Sequence, residues 1–307
     1  MSYQSINPAT GEVLETFQET APDALARILG AAWNLPASRR LADRLAQFMP
    51  VDGAQLAVPT NPIERGLADL WDRTRARMAR AGRDLLRAAV LSLAGGWAWE
   101  LANQAYNRVP DPVDYLETRR STSGSAIQLA LIVAPVIDQV PADLIAARPV
   151  RSLTAAAQDV VGLVNDVFSF QKEIEYEGDL NNGVLVMQTL LDCGRPQAAV
   201  ITANLASARV REFKHVLALE LPPLLEDVHL DQRGRDCLTE TIRRLKSWMS
   251  GTRYWHEMTG RYRQPSLMTS LTSCRRVASP FPMGASGVCS WARMGAGPMP
   301  VGVGSHD

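Results

Sequence analysis

Residues 163–173 read LVNDVFSFQKE and carry the most informative pattern in this chain. Asn165, Ser169 and Glu173 follow one another at four-residue steps, which places them within about an 80° arc of one helix face. The other faces are apolar and carry Val160, Val161, Val164, Val167, Phe168 and Ile174. The pattern predicts a long helix, residues 153–176, with one narrow polar stripe.

This polar stripe has the chemistry of a site for a divalent cation. An amide oxygen, a hydroxyl and a carboxylate are ligands that suit Mg²⁺, with water and a substrate phosphate completing its shell. Lys172 falls on the same face, seven residues after Asn165, and would add a positive charge. The alternative is a stripe that faces water, as the polar side of an amphipathic helix usually does. Spacing alone leaves both interpretations open.

Composition and charge exclude several classes of protein. The 307 residues allow one large domain or two ordinary ones, and 46% of them are hydrophobic, enough for a buried core. Thirty-two basic and 32 acidic residues cancel, so neither a nucleic-acid nor a membrane-surface partner is indicated. The longest apolar run, residues 126–137, is too short to span a bilayer.

The cysteines and the start of the chain indicate a cytoplasmic protein. Four cysteines without a CxxC pair, beside four histidines, predict neither a zinc site nor a disulfide framework. A charged region followed by an apolar one, as in a secretion signal, does not open the chain. We therefore expect free thiols and a cytoplasmic location.

Helices are predicted to dominate from residue 36 onward. Asn61 before Pro62, and Asp111 before Pro112, are typical helix starts. Asp114 and Glu117 then read as favourable charges at a helix N-terminus rather than as metal ligands. Further helices are predicted over residues 183–192, 195–219 and 233–260. Gly82, Gly95 and Gly96 are expected to weaken or break helices, and the indoles of Trp71 and Trp97 to lie in the core.

Three regions are predicted. Residues 1–35 form a strand-like arm, over residues 1–17, and a junction, and residues 36–262 form the helical domain. Residues 263–307 hold six Gly, five Pro and seven Ser without sustained periodicity. A segment of this kind buries too little apolar surface to offset its loss of entropy, so we expect a disordered tail.

The motif NDVFSFQKE resembles the second metal-binding motif of class I terpenoid synthases, Asn/Asp-x-x-x-Ser-x-x-x-Glu. The run EYEGDLNNGVLVMQ from Glu175 follows it as in bacterial sesquiterpene cyclases. TNPIERGLADLW from Thr60, WELANQAYNRVPDPVDYLETRR from Trp99 and ELPPLL from Glu220 resemble the germacradienol/geosmin synthase group. The resemblance covers residues 37–262. Residues 1–17, MSYQSINPATGEVLETF, instead resemble the beginning of an aldehyde or semialdehyde dehydrogenase.

The terpenoid-synthase resemblance implies an all-α bundle and a carbon–oxygen lyase that ionises and cyclises an allylic diphosphate with Mg²⁺. Farnesyl diphosphate is the implied substrate, and Asn165, Ser169 and Glu173 are the implied metal ligands. Lys172 would lie beside the metal and the diphosphate.

Arginines and a tyrosine are implied to hold the diphosphate. Arg119 lies 46 residues before Asn165, where the family carries a diphosphate sensor, and Arg120 is the alternative. Residues 122–124 follow, where the family's helix breaks. Arg261 and Tyr262 would donate to the diphosphate as the site closes. Arg253 and Tyr254 form a second Arg-Tyr pair, and His256 is a weak candidate base expected to be partly exposed.

One motif of the family is missing. Class I synthases carry a first, aspartate-rich motif, and no adjacent Asp-Asp or Asp-Glu pair precedes Arg119 here. The first helices of the bundle are therefore expected to be replaced by the dehydrogenase-like arm, with impaired turnover. The alternative is a non-catalytic remnant that keeps half of a metal–diphosphate site. A dehydrogenase fragment would rest on 17 residues alone.

Overall fold

The structure is a computed structural model that describes residues 2–6, 13–18, 40, 43–52, 54, 56–228 and 230–262. The predictions for most of the junction and for the tail, residues 263–307, lie outside this range. In the arm, strands β1 (Ser2–Ile6) and β2 (Val13–Gln18) pair in antiparallel register, as its sequence predicts.

The predicted all-α fold is confirmed for the domain. Residues 40 and 43–46 are helical, and ten α-helices follow within the described residues: α1 Pro62–Arg75, α2 Arg80–Ala105, α3 Pro112–Thr122, α4 Ser125–Val133, α5 Ala142–Ala146, α6 Arg148–Phe170, α7 Gly183–Leu191, α8 Arg195–His215, α9 Leu221–Asp227 and α10 Gln232–Met258. Two π-helical turns, Gln171–Glu177 and Val216–Glu220, extend α6 and α8. The last described residues, Gly260–Tyr262, form a 3₁₀ turn. Within the described ranges, no helix is both long enough and apolar enough to cross a bilayer.

Helix α6, which carries the metal motif, is the centre of the bundle. It packs against α8 and α10 on one side and contacts α3, α4 and α7 on the others. Its apolar face buries Leu153, Ala156 and Ala157 against Phe213 and Leu245. Burial of such side chains stabilises the fold by about 1.5–3 kcal/mol for each large one. The motif therefore sits on a rigid element.

Local signals predicted the helix ends well. The Asn61 side chain accepts a hydrogen bond from the Glu64 amide at 3.0 Å, and Asp111 accepts one from the Val113 amide at 2.8 Å. Both are N-caps, as the sequence predicts. The predicted break after Thr122 is also present, because Gly124 adopts a left-handed conformation with φ of 72°.

The helix breaks predicted at glycines are wrong. Gly82, Gly95 and Gly96 all lie inside α2, which is continuous. At Gly96 the missing side chain allows close packing of α2 on α3. A Cβ there would lie only 2.8 Å from Cγ2 of Thr122.

Trp97 of α2 is not a core residue, contrary to prediction, and neither is the nearby Tyr106. Trp97 is 47% exposed and Tyr106 is 77% exposed. Their helix uses its small residues, including Ala89, Ala94 and Gly96, for burial instead. Trp71 on α1 does lie in the core, where its indole N–H donates to the Pro50 carbonyl at 3.0 Å.

Helix α6 ends earlier than predicted. Residues 153–176 were expected to form one α-helix, but the α-helical hydrogen bonding stops at Phe170 and a π turn follows. The π turn ends at Gly178, which has φ of 70°. Glu173 therefore sits on a wider turn than Asn165 and Ser169. Such turns are frequent at functional sites.

Candidate active site

A cavity of about 840 Å³ opens beside the N-terminal motif residue of α6. Its walls come from α2, α3, α4, α6 and α10, from the first π turn and from the loop that follows it. The charged and aromatic residues that line it are Glu100, Arg119, Asn165, Glu173, Asp179, Trp248, Trp255, His256 and Arg261. The structure thus brings two predicted metal ligands, two predicted diphosphate-binding arginines and two indoles to one cavity.

Arg119 is held between two side chains of α6. Its Nη2 donates to Oδ1 of Asn165 at 2.7 Å and to Oδ1 of Asp166 at 2.6 Å. Burial disfavours the charged guanidinium, but the Asp166 carboxylate outweighs this and raises the pKa of Arg119 above its ordinary value. Its Nε is buried without a hydrogen-bond partner among the described residues. A buried donor of this kind is suited to an anionic ligand.

Asp166 is the fully buried anchor of this arrangement. Besides Arg119, it accepts a hydrogen bond from the Tyr115 hydroxyl at 2.7 Å and one from the Gly183 amide at 3.2 Å. Burial raises the pKa of Asp166, while Arg119 and Tyr115 oppose that rise. The carboxylate therefore ties α3, α6 and α7 together at the base of the cavity.

Two of the three predicted metal ligands, Ser169 and Glu173, are joined by a residue that sequence reasoning missed, Asn182. Its Nδ2 donates to Oε2 of Glu173 at 2.9 Å and lies 3.5 Å from Oγ of Ser169. Asn182 also caps α7 through its Oδ1, which accepts from the Val184 amide at 2.9 Å. Asn165 and Glu173 line the cavity, and Ser169 is fully buried. Burial raises the pKa of Glu173, with Arg119 and Asn182 opposing.

The donor set fits a hard divalent cation. An amide oxygen, a hydroxyl and a carboxylate are all oxygen donors, as Mg²⁺ prefers. Asn182 holds the carboxylate in place, as a partner behind a metal ligand does. Among the described residues, His, Cys, Asp and Glu form no group of three or more with the geometry of a metal site, so a metal here would depend on the neutral oxygens.

Three predicted diphosphate contacts, Arg120, Lys172 and Tyr262, are not among the residues that line the cavity. Arg120 donates through Nε and Nη2 to the two carboxylate oxygens of Asp159, at 2.6 and 2.9 Å. Of the two neighbouring arginines, Arg119 lines the cavity and Arg120 does not. Lys172 pairs with Glu177, because the π turn carries it away from the stripe that an α-helix would form.

The end of α10 closes the other side of the cavity. Arg261 lines it, and the Tyr262 hydroxyl hydrogen-bonds to Nδ1 of His256 at 2.7 Å. Phe168 stacks on the His256 ring, with centroids 5.3 Å apart. The prediction that His256 is partly exposed is wrong, since 6% of it is exposed. Burial, followed by the charge of Arg261, lowers the pKa of His256.

The second Arg-Tyr pair is not part of the cavity wall. Arg253 pairs with Glu257 on the surface at 2.8 Å, and Tyr254 is 64% exposed. Arg261 of the other pair does line the cavity. Burial raises the pKa of Tyr262, and the charge of Arg261 opposes that rise.

Glu100 of α2 faces the cavity from the wall opposite the metal motif and was not singled out from the sequence. Burial raises its pKa from 4.5 to about 7, and the charge of Arg119 opposes that rise. Asp179 and Glu173, which line the same cavity, push the pKa further upward. Glu100 is the acidic residue that lines the cavity from the described chain before Arg119.

We expect Glu100→Gln to remove a pH dependence of stability. Between pH 4.5 and about 7 the folded chain keeps a proton on Glu100 that the unfolded chain releases. The free energy of unfolding should therefore fall as the pH rises through this window. Urea unfolding at several pH values measures it. As the pH rises through this window, the free energy of unfolding of the wild type should fall relative to that of Glu100→Gln. A control variant at an exposed residue, Glu117→Gln, should show the same fall as the wild type. Equal slopes for all three would contradict the prediction.

The chain belongs to a family of metal-binding terpene synthases. Residues 23–212 match the family described as terpene synthase family 2, C-terminal metal binding. That match covers more than half of the chain and includes the motif on α6.

Curated relatives from Streptomyces support this membership. Pristinol synthase of Streptomyces pristinaespiralis is 28% identical over 234 residues, which cover 73% of this chain and 60% of that protein. Pentalenene synthase of Streptomyces exfoliatus is 28% identical over 232 residues, 73% of this chain and 66% of that protein. A 7-epi-alpha-eudesmol synthase ((2E,6E)-farnesyl diphosphate cyclizing) of Streptomyces viridochromogenes is 26% identical over 150 residues, which cover 49% of this chain and 43% of that protein. The chain thus spans about two thirds of these relatives or less.

Solved structures share the fold. Germacradien-4-ol synthase from Streptomyces citricolor superposes with a TM-score of 0.63 at 23% identity, covering 74% of this chain and 71% of that one. The T181N variant of cucumene synthase gives a TM-score of 0.63 at 25% identity, covering 74% of each chain. The helical bundle is therefore the class I terpene synthase fold.

Proposed function

We propose that this chain binds an allylic diphosphate, farnesyl diphosphate by kinship, together with Mg²⁺, and that its chemistry is ionisation and cyclisation of that substrate. The observation that carries the proposal is one cavity in which the oxygens of Asn165 and Glu173 face Arg119 and Arg261 beside two indoles. Among the relatives, the eudesmol synthase is named as cyclising farnesyl diphosphate.

Each group has a role that its position supports. Bound Mg²⁺ supplies Lewis-acid assistance to the departing diphosphate. Arg119 Nε, a buried donor without a partner among the described residues, and Arg261 donate to phosphate oxygens. Trp248 and Trp255 present aromatic surface that stabilises a carbocation.

We further propose that turnover is weak. In the resembling synthases an aspartate-rich motif faces the second motif and holds further metal ions. Before Arg119, the described chain contributes one acidic residue to the cavity lining, Glu100. The departing diphosphate gains charge that must be met by positioned cations, so a half-built metal site binds it better than it ionises it. A non-catalytic remnant is the limiting case of this proposal.

The segments from Thr60, Trp99 and Glu220 support a narrower assignment within the family. Their sequences resemble the germacradienol/geosmin synthase group, and we propose that the chain derives from it. The dehydrogenase-like residues 1–17 are then an unrelated arm.

Incubation with farnesyl diphosphate and Mg²⁺ tests the function directly. We expect Mg²⁺-dependent binding of the diphosphate, measured by calorimetry, and turnover at least about 100-fold below an intact synthase, since removing one electrostatic stabiliser typically costs 10²–10³ in rate. Product analysis by gas chromatography should show little cyclic sesquiterpene. Pentalenene synthase measured in parallel is the control.

A chimaera distinguishes weak turnover from the wrong function. Replacing residues 1–36 with the N-terminal helices and aspartate-rich motif of a related synthase should raise the rate. Robust formation of a single cyclic sesquiterpene by the unmodified chain would contradict the weak-turnover proposal. Absence of Mg²⁺-dependent diphosphate binding in both proteins would contradict the function itself.

A further inference from the structure

We propose that Arg119 and the metal ion compete for one atom, Oδ1 of Asn165, and that Asp166 is the positioning residue that holds the guanidinium there. The inference rests on the proposed function. In the structure, Nη2 of Arg119 lies 2.7 Å from Oδ1 of Asn165 and 2.6 Å from Oδ1 of Asp166.

The guanidinium and the metal ion exclude each other electrostatically. A carbonyl oxygen has two lone pairs, so it has room for two partners. However, Mg²⁺ binds oxygen at about 2.1 Å. With Nη2 at 2.7 Å from the same oxygen, the two cations would lie within about 5 Å of each other, where like charges repel strongly in a buried site. The metal therefore binds Asn165 fully only when Arg119 has moved.

Asp166 holds the Arg119 side chain in one defined position, beside Asn165. The carboxylate is fully buried and is fixed by the Tyr115 hydroxyl and the Gly183 amide as well as by Arg119. Gly162 lets the arginine lie flat on α6, since a Cβ there would be 3.2 Å from Cγ of Arg119. In this state the metal ligand Asn165 is occupied by a protein cation.

A diphosphate offers Arg119 a better position. The side chain lines the cavity, and its Nε has no partner among the described residues, so a phosphate can accept two parallel hydrogen bonds from it. Turning toward the phosphate releases Oδ1 of Asn165 for the metal. Diphosphate and metal then strengthen each other's binding by equal factors, as linkage requires.

Titration with Mn²⁺, followed by the electron paramagnetic resonance of the free ion, tests the competition. The full chain is titrated with and without inorganic pyrophosphate, and the Mn²⁺ bound by pyrophosphate alone is subtracted. The double variant Arg119→Gln/Asp166→Asn removes a cation and an anion together, so net charge is unchanged. We expect it to bind Mn²⁺ alone about tenfold more tightly than the wild type, because no charge-assisted hydrogen bond must be broken first. Its enhancement by pyrophosphate should be correspondingly smaller.

The neighbouring ion pair supplies the matched control. Arg120→Gln/Asp159→Asn makes the same chemical change outside the cavity and should leave both affinities unchanged. If Arg119→Gln/Asp166→Asn binds Mn²⁺ alone no more tightly than the wild type, the competition is overturned. If the wild type binds Mn²⁺ neither alone nor in the presence of pyrophosphate, the proposed function fails, and the inference fails with it.

A measurement on the wild type avoids dependence on a variant that folds poorly. The guanidinium signals of Arg119 in ¹⁵N nuclear magnetic resonance, assigned by their loss in Arg119→Lys, report its partners. Adding Mg²⁺ with pyrophosphate should shift them, and Mg²⁺ alone should shift them much less. Equal shifts under both conditions, or none under either, would overturn the proposal.

Discussion

Asp166→Ala should destabilise the chain by about 3–5 kcal/mol, the cost of leaving a buried charge without its partner. The carboxylate is the shared acceptor for Arg119, the Tyr115 hydroxyl and the Gly183 amide, and it is fully buried. Without it, the nearly buried guanidinium and the buried phenol would lose their shared acceptor. Urea unfolding at pH 7 measures the change in the free energy of unfolding.

Asp159→Ala is the matched comparison for this prediction. Asp159 is also buried, and it pairs with two arginines, Arg120 and Arg209, where Asp166 pairs with one. Those arginine side chains are 35% and 25% exposed, whereas that of Arg119 is 11% exposed. Water can solvate them after the change, so we expect a smaller cost, about 1–2 kcal/mol. An Asp166→Ala loss no larger than that of Asp159→Ala would refute the role assigned to Asp166.

Glu173→Gln should weaken Mg²⁺-dependent pyrophosphate binding by at least about 100-fold. Loss of a residue behind a metal ligand typically costs 10–100-fold in metal affinity, and Glu173 is the charged ligand of the proposed set. The Asn182 amide that holds its Oε2 at 2.9 Å would keep the glutamine in place, so the fold should be retained. Isothermal titration calorimetry at saturating and limiting Mg²⁺ measures the affinity, and circular dichroism checks helicity.

Lys172→Met is the control that distinguishes loss of a specific metal ligand from a general electrostatic effect. Lys172 is adjacent in sequence but pairs with Glu177 outside the cavity, so its loss should change pyrophosphate affinity less than about twofold, as expected for a surface ion pair. An equal loss in Lys172→Met and Glu173→Gln would indicate a general electrostatic effect rather than a metal ligand. Unchanged binding in Glu173→Gln would remove Glu173 from the site.

The sequence predicted what depends on local chemistry. Caps such as Asn61 and Asp111 are set by neighbouring residues, so reading along the chain finds them, whereas the break at residues 122–124 was predicted from the family resemblance. The position of Arg119 opposite Asn165 joins residues 46 positions apart. Spacing within a helix carries no information on such a contact, and only resemblance to a family predicted it.

The missed residues were missed for physical reasons. Asp166 follows Asn165, so it points about 100° away from the polar stripe, onto a face that periodicity assigns to packing. Asn182 reads as an N-cap of α7, but its reach back to Glu173 depends on the loop between them. Glu100 lies on a helix whose distance from α6 is a tertiary property. The π turn likewise depends on tertiary contacts, because no local signal in residues 171–177 distinguishes it from an α-helix.

The π turn also affects how this protein can change length during evolution. Deleting one residue from an ordinary α-helix rotates everything after it by about 100°. A π turn already contains one residue more than the α-helical turn that replaces it. Loss of one codon within residues 171–177 should therefore leave the loop that carries Asn182 in place and redirect only the side chains of the turn, including Glu173. At this point of the chain, a metal ligand can be gained or lost by insertion or deletion, without a substitution and without disturbing the bundle.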